Sequence, residues 1–205
     1  PDSEEPEPPE PQFHYEPTIA MMQRLVTEYP GYRLVDGARY LLGYCLGEQG
    51  EDERAKDVYE RLVADAPNSR FTAEVWTRIG EYYFNTSDLE RAAAAYNKVL
   101  GHYDSPFYDK ALYKLAWSYF QDYDYDSAIK TFKKLISWYD SQGKTGATAS
   151  ALREEAIDYL ALSLTEDDWD ADGEKDPNAV RIEVNAHQWA WDARYAGPDK
   201  KFNTA

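Results

Sequence analysis

The sequence predicts an all-α fold of stacked antiparallel helix hairpins, and three observations predict it. Small residues recur at Gly43, Gly80 and Ala116, 37 and 36 residues apart. A second small series, Ala55, Ala92 and Ala128, keeps the same two spacings. Large residues hold fixed places around both series: Leu42, Leu46, Tyr59 and Leu62, then Ile79, Tyr83, Tyr96 and Val99, then Leu115, Tyr119, Phe132 and Leu135. The small residue on a first helix lets the second approach closely, and the large residues fill the space around the contact. One such hairpin cannot bury its apolar face alone, so the hairpins must stack.

The elements follow in order. Residues 1–17 (PDSEEPEPPEPQFHYEP) are dominated by Pro and Glu and read as an extended acidic tether. The helical repeat domain spans residues 18–166. Its first helix is expected over Thr18–Tyr29, with Ile19, Met22, Leu25 and Val26 on one face and Pro30-Gly31 as the stop. This is the second half of a repeat. Three hairpins follow, with helices expected over Tyr32–Leu46, Glu53–Asp65, Phe71–Phe84, Leu89–Tyr103, Phe107–Phe120 and Tyr125–Tyr139. Asn68, Ser69, Ser87, Asp88, Ser105 before Pro106, and Asp124 offer capping chemistry. In the polar stretch 141–150, Gly143-Lys144-Thr145 resembles the end of a phosphate loop. That motif needs a Gly five residues earlier, where Trp138 stands, so it is excluded. A last helix, Ala151–Thr165, carries Ile157, Leu160, Ala161 and Leu164 as the first half of a fourth repeat.

Beyond it the chain changes character. Residues 167–179 form an acidic Asp-rich linker. Asp168, Asp170, Asp172 and Asp176, with Gly173, have the spacing of a calcium loop, but Ala179 stands where a bidentate Glu is wanted. The expectation is a weak calcium site beside the plainer reading of a solvated linker. From Val180 the period becomes two, through Ile182, Val184 and Ala186, so residues 180–205 are β-prone.

Charge and composition narrow the function. Asp and Glu number 38 against 22 Lys and Arg, a net charge of −16 that opposes nucleic acid or an anionic membrane. No run of 18 apolar residues spans a membrane. A single cysteine, Cys45, leaves no intrachain disulfide and no Cys-rich metal site. There is no nucleophile–base pair, no clustered His and no glycine-rich phosphate loop, so neither catalysis nor a resident cofactor is expected.

The second repeat, with Trp76, Ile79-Gly80, Tyr83, Ala92 and Tyr96, resembles the tetratricopeptide repeat, whose pattern runs Trp, Leu-Gly, Tyr, Ala, Phe or Tyr, and a closing Pro. The closing Pro is present at Pro67, and Pro106 comes slightly late. The resemblance implies a superhelix whose first helices line a groove. Counting positions along those helices puts Tyr40, Tyr44, Thr77, Arg78, Glu81, Asn85, Lys110, Tyr113, Lys114, Trp117 and Gln121 toward it. In family members that clamp a terminal carboxylate, cations stand where Lys110 and Lys114 stand. Tyr40, Tyr44 and Arg78 replace the Lys and two Asn that complete that clamp. The implied function is a non-catalytic scaffold holding protein partners by apolar anchors and an acidic group. The third repeat, SPFYDKALYKLAWSYF, resembles bacterial envelope proteins of this family, so a periplasmic or envelope location is the expectation.

The end of the chain carries a second resemblance. His187-Gln188-Trp189-Ala190-Trp191, then Arg194-Tyr195, Gly197-Pro198-Asp199, Lys201-Phe202 and Thr204-Ala205, are similar to the opening of the copper-binding domain of bacterial cytochrome c oxidase subunit II. That family's copper ligands come later than these residues, so this stretch forms no copper site. The resemblance implies an alternative role as an accessory of a respiratory cytochrome c oxidase complex. A gene fusion, an artificial joining, or pieces of two polypeptides side by side would each explain the juxtaposition.

Overall fold

The computed structural model describes residues 14–143, 151–167, 182–187 and 190–195. It divides after Val75 into two compact units. The first holds α1 (Glu16–Glu28), α2 (Val35–Glu48) and α3 (Asp52–Asp65), and it ends in the first turn of α4 (Thr72–Asn85). The second holds the rest of α4, α5 (Leu89–Val99), α6 (Tyr108–Gln121), α7 (Tyr125–Ser141), α8 (Ala151–Asp167), and strands β1 (Ile182–His187) and β2 (Ala190–Tyr195).

In the first unit α2 and α3 form a hairpin. Its core is Leu42, Cys45 and Leu46 against Ala55, Tyr59 and Leu62, all at most 5% exposed. Gly50 makes the turn at φ +76°, a left-handed conformation that costs glycine little. The amide of Glu51 then bonds back to the carbonyl of Leu46 at 2.9 Å, which satisfies one of the carbonyls left over at the helix end. The helix α1 packs on α2 and presents the expected apolar face, yet none of its residues is fully buried.

The second unit repeats the device. Ser87 and Tyr123 take the place of Gly50, at φ 61° and 62°. One residue on, Asp88 and Asp124 cap α5 and α7 by accepting from the amides of Arg91 and Ser127. The core around α6 joins Leu112, Ala116, Phe132, Leu135 and Tyr139 to Ala156 and Leu160 of α8. The strands β1 and β2 pair antiparallel, with Ile182 opposite Tyr195 and His187 opposite Ala190.

Several boundaries differ from expectation. The helix α1 begins at Glu16, inside the stretch read as tether, because Pro17 suits a first helical turn. The helix α2 begins at Val35, since Tyr32 and Val35 bond back three residues in turns. The helix α5 stops at Val99, where the amides of Leu100, Gly101 and His102 turn to three-residue bonds. Ser69 and Ser105 accept from the amides of Phe71 and Phe107, two residues on, and so shape turns before the helices instead of capping them. Ser87 is a left-handed turn residue and not a cap. Residues 1–13 of the tether and Asp168, Asp170, Asp172 and Asp176 of the calcium reading lie outside the described residues.

Candidate partner-binding groove

On α2 the first-helix face carries Tyr40 and Tyr44 one turn apart, both half-buried. The Tyr40 ring stacks on Phe71 with centroids 4.4 Å apart and an 11° tilt. Its hydroxyl donates to Glu74 Oε1 at 2.7 Å. Tyr40 is therefore a fixed wall, tied to the start of the following first helix. On the far side of α2, Cys45 is buried, and burial pushes its thiol above the ordinary range. A protonated thiol there is a packing group.

In the second unit the face is built by α4, α6 and α8. Arg78 is half-buried, Glu81 and Asn85 are exposed on α4, and Lys110 and Gln121 are exposed on α6. Thr77, counted toward the groove from sequence, is buried at 4% exposure. Lys114 does not stand open beside Lys110. Its ammonium sits over the Phe84 ring, 4.7 Å from the centroid, a cation–π contact that holds the charge against an aromatic floor.

Tyr113 and Trp117 also depart from the open-groove reading, because α8 packs over part of both. The Tyr113 hydroxyl donates to Glu155 Oε2, and its ring meets Trp117 and Phe132 edge-on. Trp117 lies 4.3 Å from Tyr159 of α8, centroid to centroid. Burial, then the bond to Glu155, pushes the Tyr113 phenol up to about 12. The phenol stays a neutral donor at any physiological pH. These half-buried rings make a stiff aromatic wall, with Glu81, Asn85, Lys110 and Gln121 as the solvated groups beside it.

Sequence reasoning missed Phe71, Glu74, Phe84, Glu155 and Tyr159, which hold the named residues in place. One signal was present for Glu74: it follows Tyr40 by 34 residues, about one repeat. Among the described residues no group of three or more His, Cys, Asp and Glu side chains is placed to hold a metal ion. No described helix is long and apolar enough to cross a membrane.

The paired helices, with Gly43 under the Tyr59 ring and Gly80 under the Tyr96 ring, define a helical-repeat protein of the hairpin class. Tetratricopeptide-repeat profiles match residues 38–69 and 77–143. These stretches are tetratricopeptide repeats, and the general role that they support is protein–protein interaction. Its fold is similar to a Podosopora anserina structure of nearly identical TPR-like repeats of kinesin light chain type, with TM-score 0.57 and 12% identity over 76% of this chain and 79% of that one. It is also similar to MamA, with TM-score 0.51 and 20% identity over 79% and 87%. A third similar structure is the Sgt2 TPR domain from Aspergillus fumigatus, with TM-score 0.50 and 19% identity over 70% and 88%. No curated protein sequence matches the chain.

Proposed function

We propose that the first-helix face of the second unit is the partner-binding surface, and that it holds a segment of another protein in a bacterial envelope assembly. The observation that carries the binding reading is the Lys114–Phe84 contact beside the Trp117–Tyr159 wall. It offers a partner an apolar bed with a cation already fixed at its edge, so little order is lost on binding. The segment that fits has an apolar anchor and one acidic group. The envelope location is supported by the style of the third repeat, Ser105–Phe120. A second reading, an accessory of a respiratory cytochrome c oxidase complex, is supported by the His187–Ala205 stretch.

Photo-crosslinking residues placed at Lys110 and Gln121, both exposed on α6, should capture a discrete partner in the native source. The same residue at Lys98 or Lys130, exposed on the second helices α5 and α7, should not. Equal capture from both sets would sink the groove reading. Mass spectrometry of the captured protein separates the two assemblies: oxidase subunits favour the second, and their absence the first.

A further inference from the structure

Around α2, residues 39 and 42 lie roughly opposite residues 40 and 44. On that side Arg39 and Leu42 line a cleft of about 440 Å³. This size suits a seated side chain and its neighbours. Its apolar floor is Val26 of α1, Leu42 of α2, which is 1% exposed, and Val58 of α3. Polar groups converge from the rim: Gln23 and Thr27 on one wall, Asp57 and Arg61 on the other. An apolar floor with a few converging polar groups is the usual make-up of a ligand pocket. The cleft stays open because α1 packs lightly. One repeat later and in phase, α3 buries Ala55, Tyr59, Leu62 and Val63, while α1 fully buries nothing.

Of the charged side chains that line the cleft, Arg39 and Arg61 are cationic and Asp57 alone is anionic. Arg39, buried at 7% exposure, is paired with Asp65 at 2.8 Å. Lys56 is shared between Asp57 and Glu60. Arg61 has no acidic partner among the described residues. We propose that this cleft is a second binding site, which takes an extended acidic segment of a partner protein. An aliphatic side chain seats on Val26, Leu42 and Val58, and a neighbouring carboxylate pairs with Arg61. The complementarity is local. The net charge of −16 acts over longer range and is screened within about 8 Å at physiological salt, whereas a paired guanidinium and carboxylate touch. The site is independent of the first-helix face and stands or falls apart from it.

The test is an amide-shift titration of the full chain with the blocked peptide Ac-Glu-Leu-Glu-Leu-NH2, beside its Ac-Gln-Leu-Gln-Leu-NH2 counterpart. Saturable shifts are expected at residues 23–27, 39–42 and 57–61. The Gln peptide, and the Glu peptide on Arg61→Glu, should each bind at least about tenfold more weakly. Arg61 is exposed, so the variant keeps its fold, and Arg61→Gln with an unchanged Tm serves as the second check. Absence of saturable shifts overturns the proposal. So does equal affinity for the two peptides, or for Arg61→Glu. Shifts at these amides that move with protein concentration alone would assign the cleft to a second copy and overturn it as well.

Discussion

The first two hairpins and the third solve one packing problem in different ways. Where α2 meets α3, and where α4 meets α5, a tyrosine ring lies on a glycine. A Cβ at Gly43 or Gly80 would fall under 3.0 Å from three ring atoms of Tyr59 or Tyr96. In the α6–α7 hairpin the same places hold Ala116 and Phe132, both fully buried. The ring has lost its hydroxyl and the small residue has gained a methyl. The exchange avoids a cost that the second hairpin bears: the Tyr96 hydroxyl is buried with no hydrogen-bond partner among the described residues. A buried hydroxyl left so costs about 1–3 kcal/mol. Glycine in a helix interior costs a further 0.5–1 kcal/mol or so relative to alanine. The third hairpin is thus the less strained version, and it also supports more: Tyr113 and Tyr159 both pack on the Phe132 ring.

The largest expected effect follows from that load. Phe132→Ala should destabilise the second unit by about 3–5 kcal/mol in urea unfolding, the range for emptying a buried aromatic site. Quenching of Trp117 fluorescence should change with it, since Tyr159 loses a support. A loss under about 1 kcal/mol would mean that the third hairpin is not the keystone the packing describes.

The glycine–tyrosine contact is tested by a cycle. Gly80→Ala should lose about 1–2 kcal/mol, an overpacking cost offset in part by alanine's better helix propensity. Tyr96→Phe alone should be neutral or stabilising by up to about 1 kcal/mol, because it removes an orphaned hydroxyl. Together they recreate the Ala–Phe pair of the third hairpin. The double variant should lose less than the sum of the singles by about 0.5 kcal/mol or more, as the ring slides into the space the hydroxyl leaves. Strict additivity would show that the hydroxyl has no part in setting the helix spacing.

These pairs were legible in the sequence because burial at a helix–helix contact fixes residue size at fixed spacing. Gly43, Gly80 and Ala116, and their aromatic partners, carry that mark without any structure. The caps Asp88 and Asp124 were legible for another reason: a short side-chain acceptor just before a helix marks its start. The turns were legible only at Gly50. Ser87 and Tyr123 adopt the same left-handed conformation with side chains that do not announce it. The first-helix face was read by counting positions, which gives direction but not neighbours. Lys114 meets Phe84 across helices, and the polar stretch 141–150 lengthens the step to α8, so the repeat spacing that placed Tyr113 and Trp117 could not place Glu155 and Tyr159.

The smallest effect concerns the acid that opens a first helix. Asp36 in the first repeat and Asp109 in the third hold a later residue of their own repeat, by the Ser69 and Tyr139 hydroxyls at 2.7 Å. The second repeat has Ala73 at that place and forgoes the tie. The Ser69 hydrogen bond, working against burial, holds the Asp36 carboxyl below its ordinary 3.8. A carboxylate whose folded pKa is depressed stabilises the fold above its unfolded pKa, and that stability is lost as pH falls through the folded value. Ser69→Ala should therefore cost about 0.5–1 kcal/mol at neutral pH. The gap between the two proteins should narrow as pH falls below about 4, and close once Asp36 is protonated in both. Thermal melts from pH 7 down to about pH 3 read this directly. A gap that does not change with pH would mean that Ser69 acts only through its contact with the Phe71 amide, and that the tie to Asp36 contributes nothing.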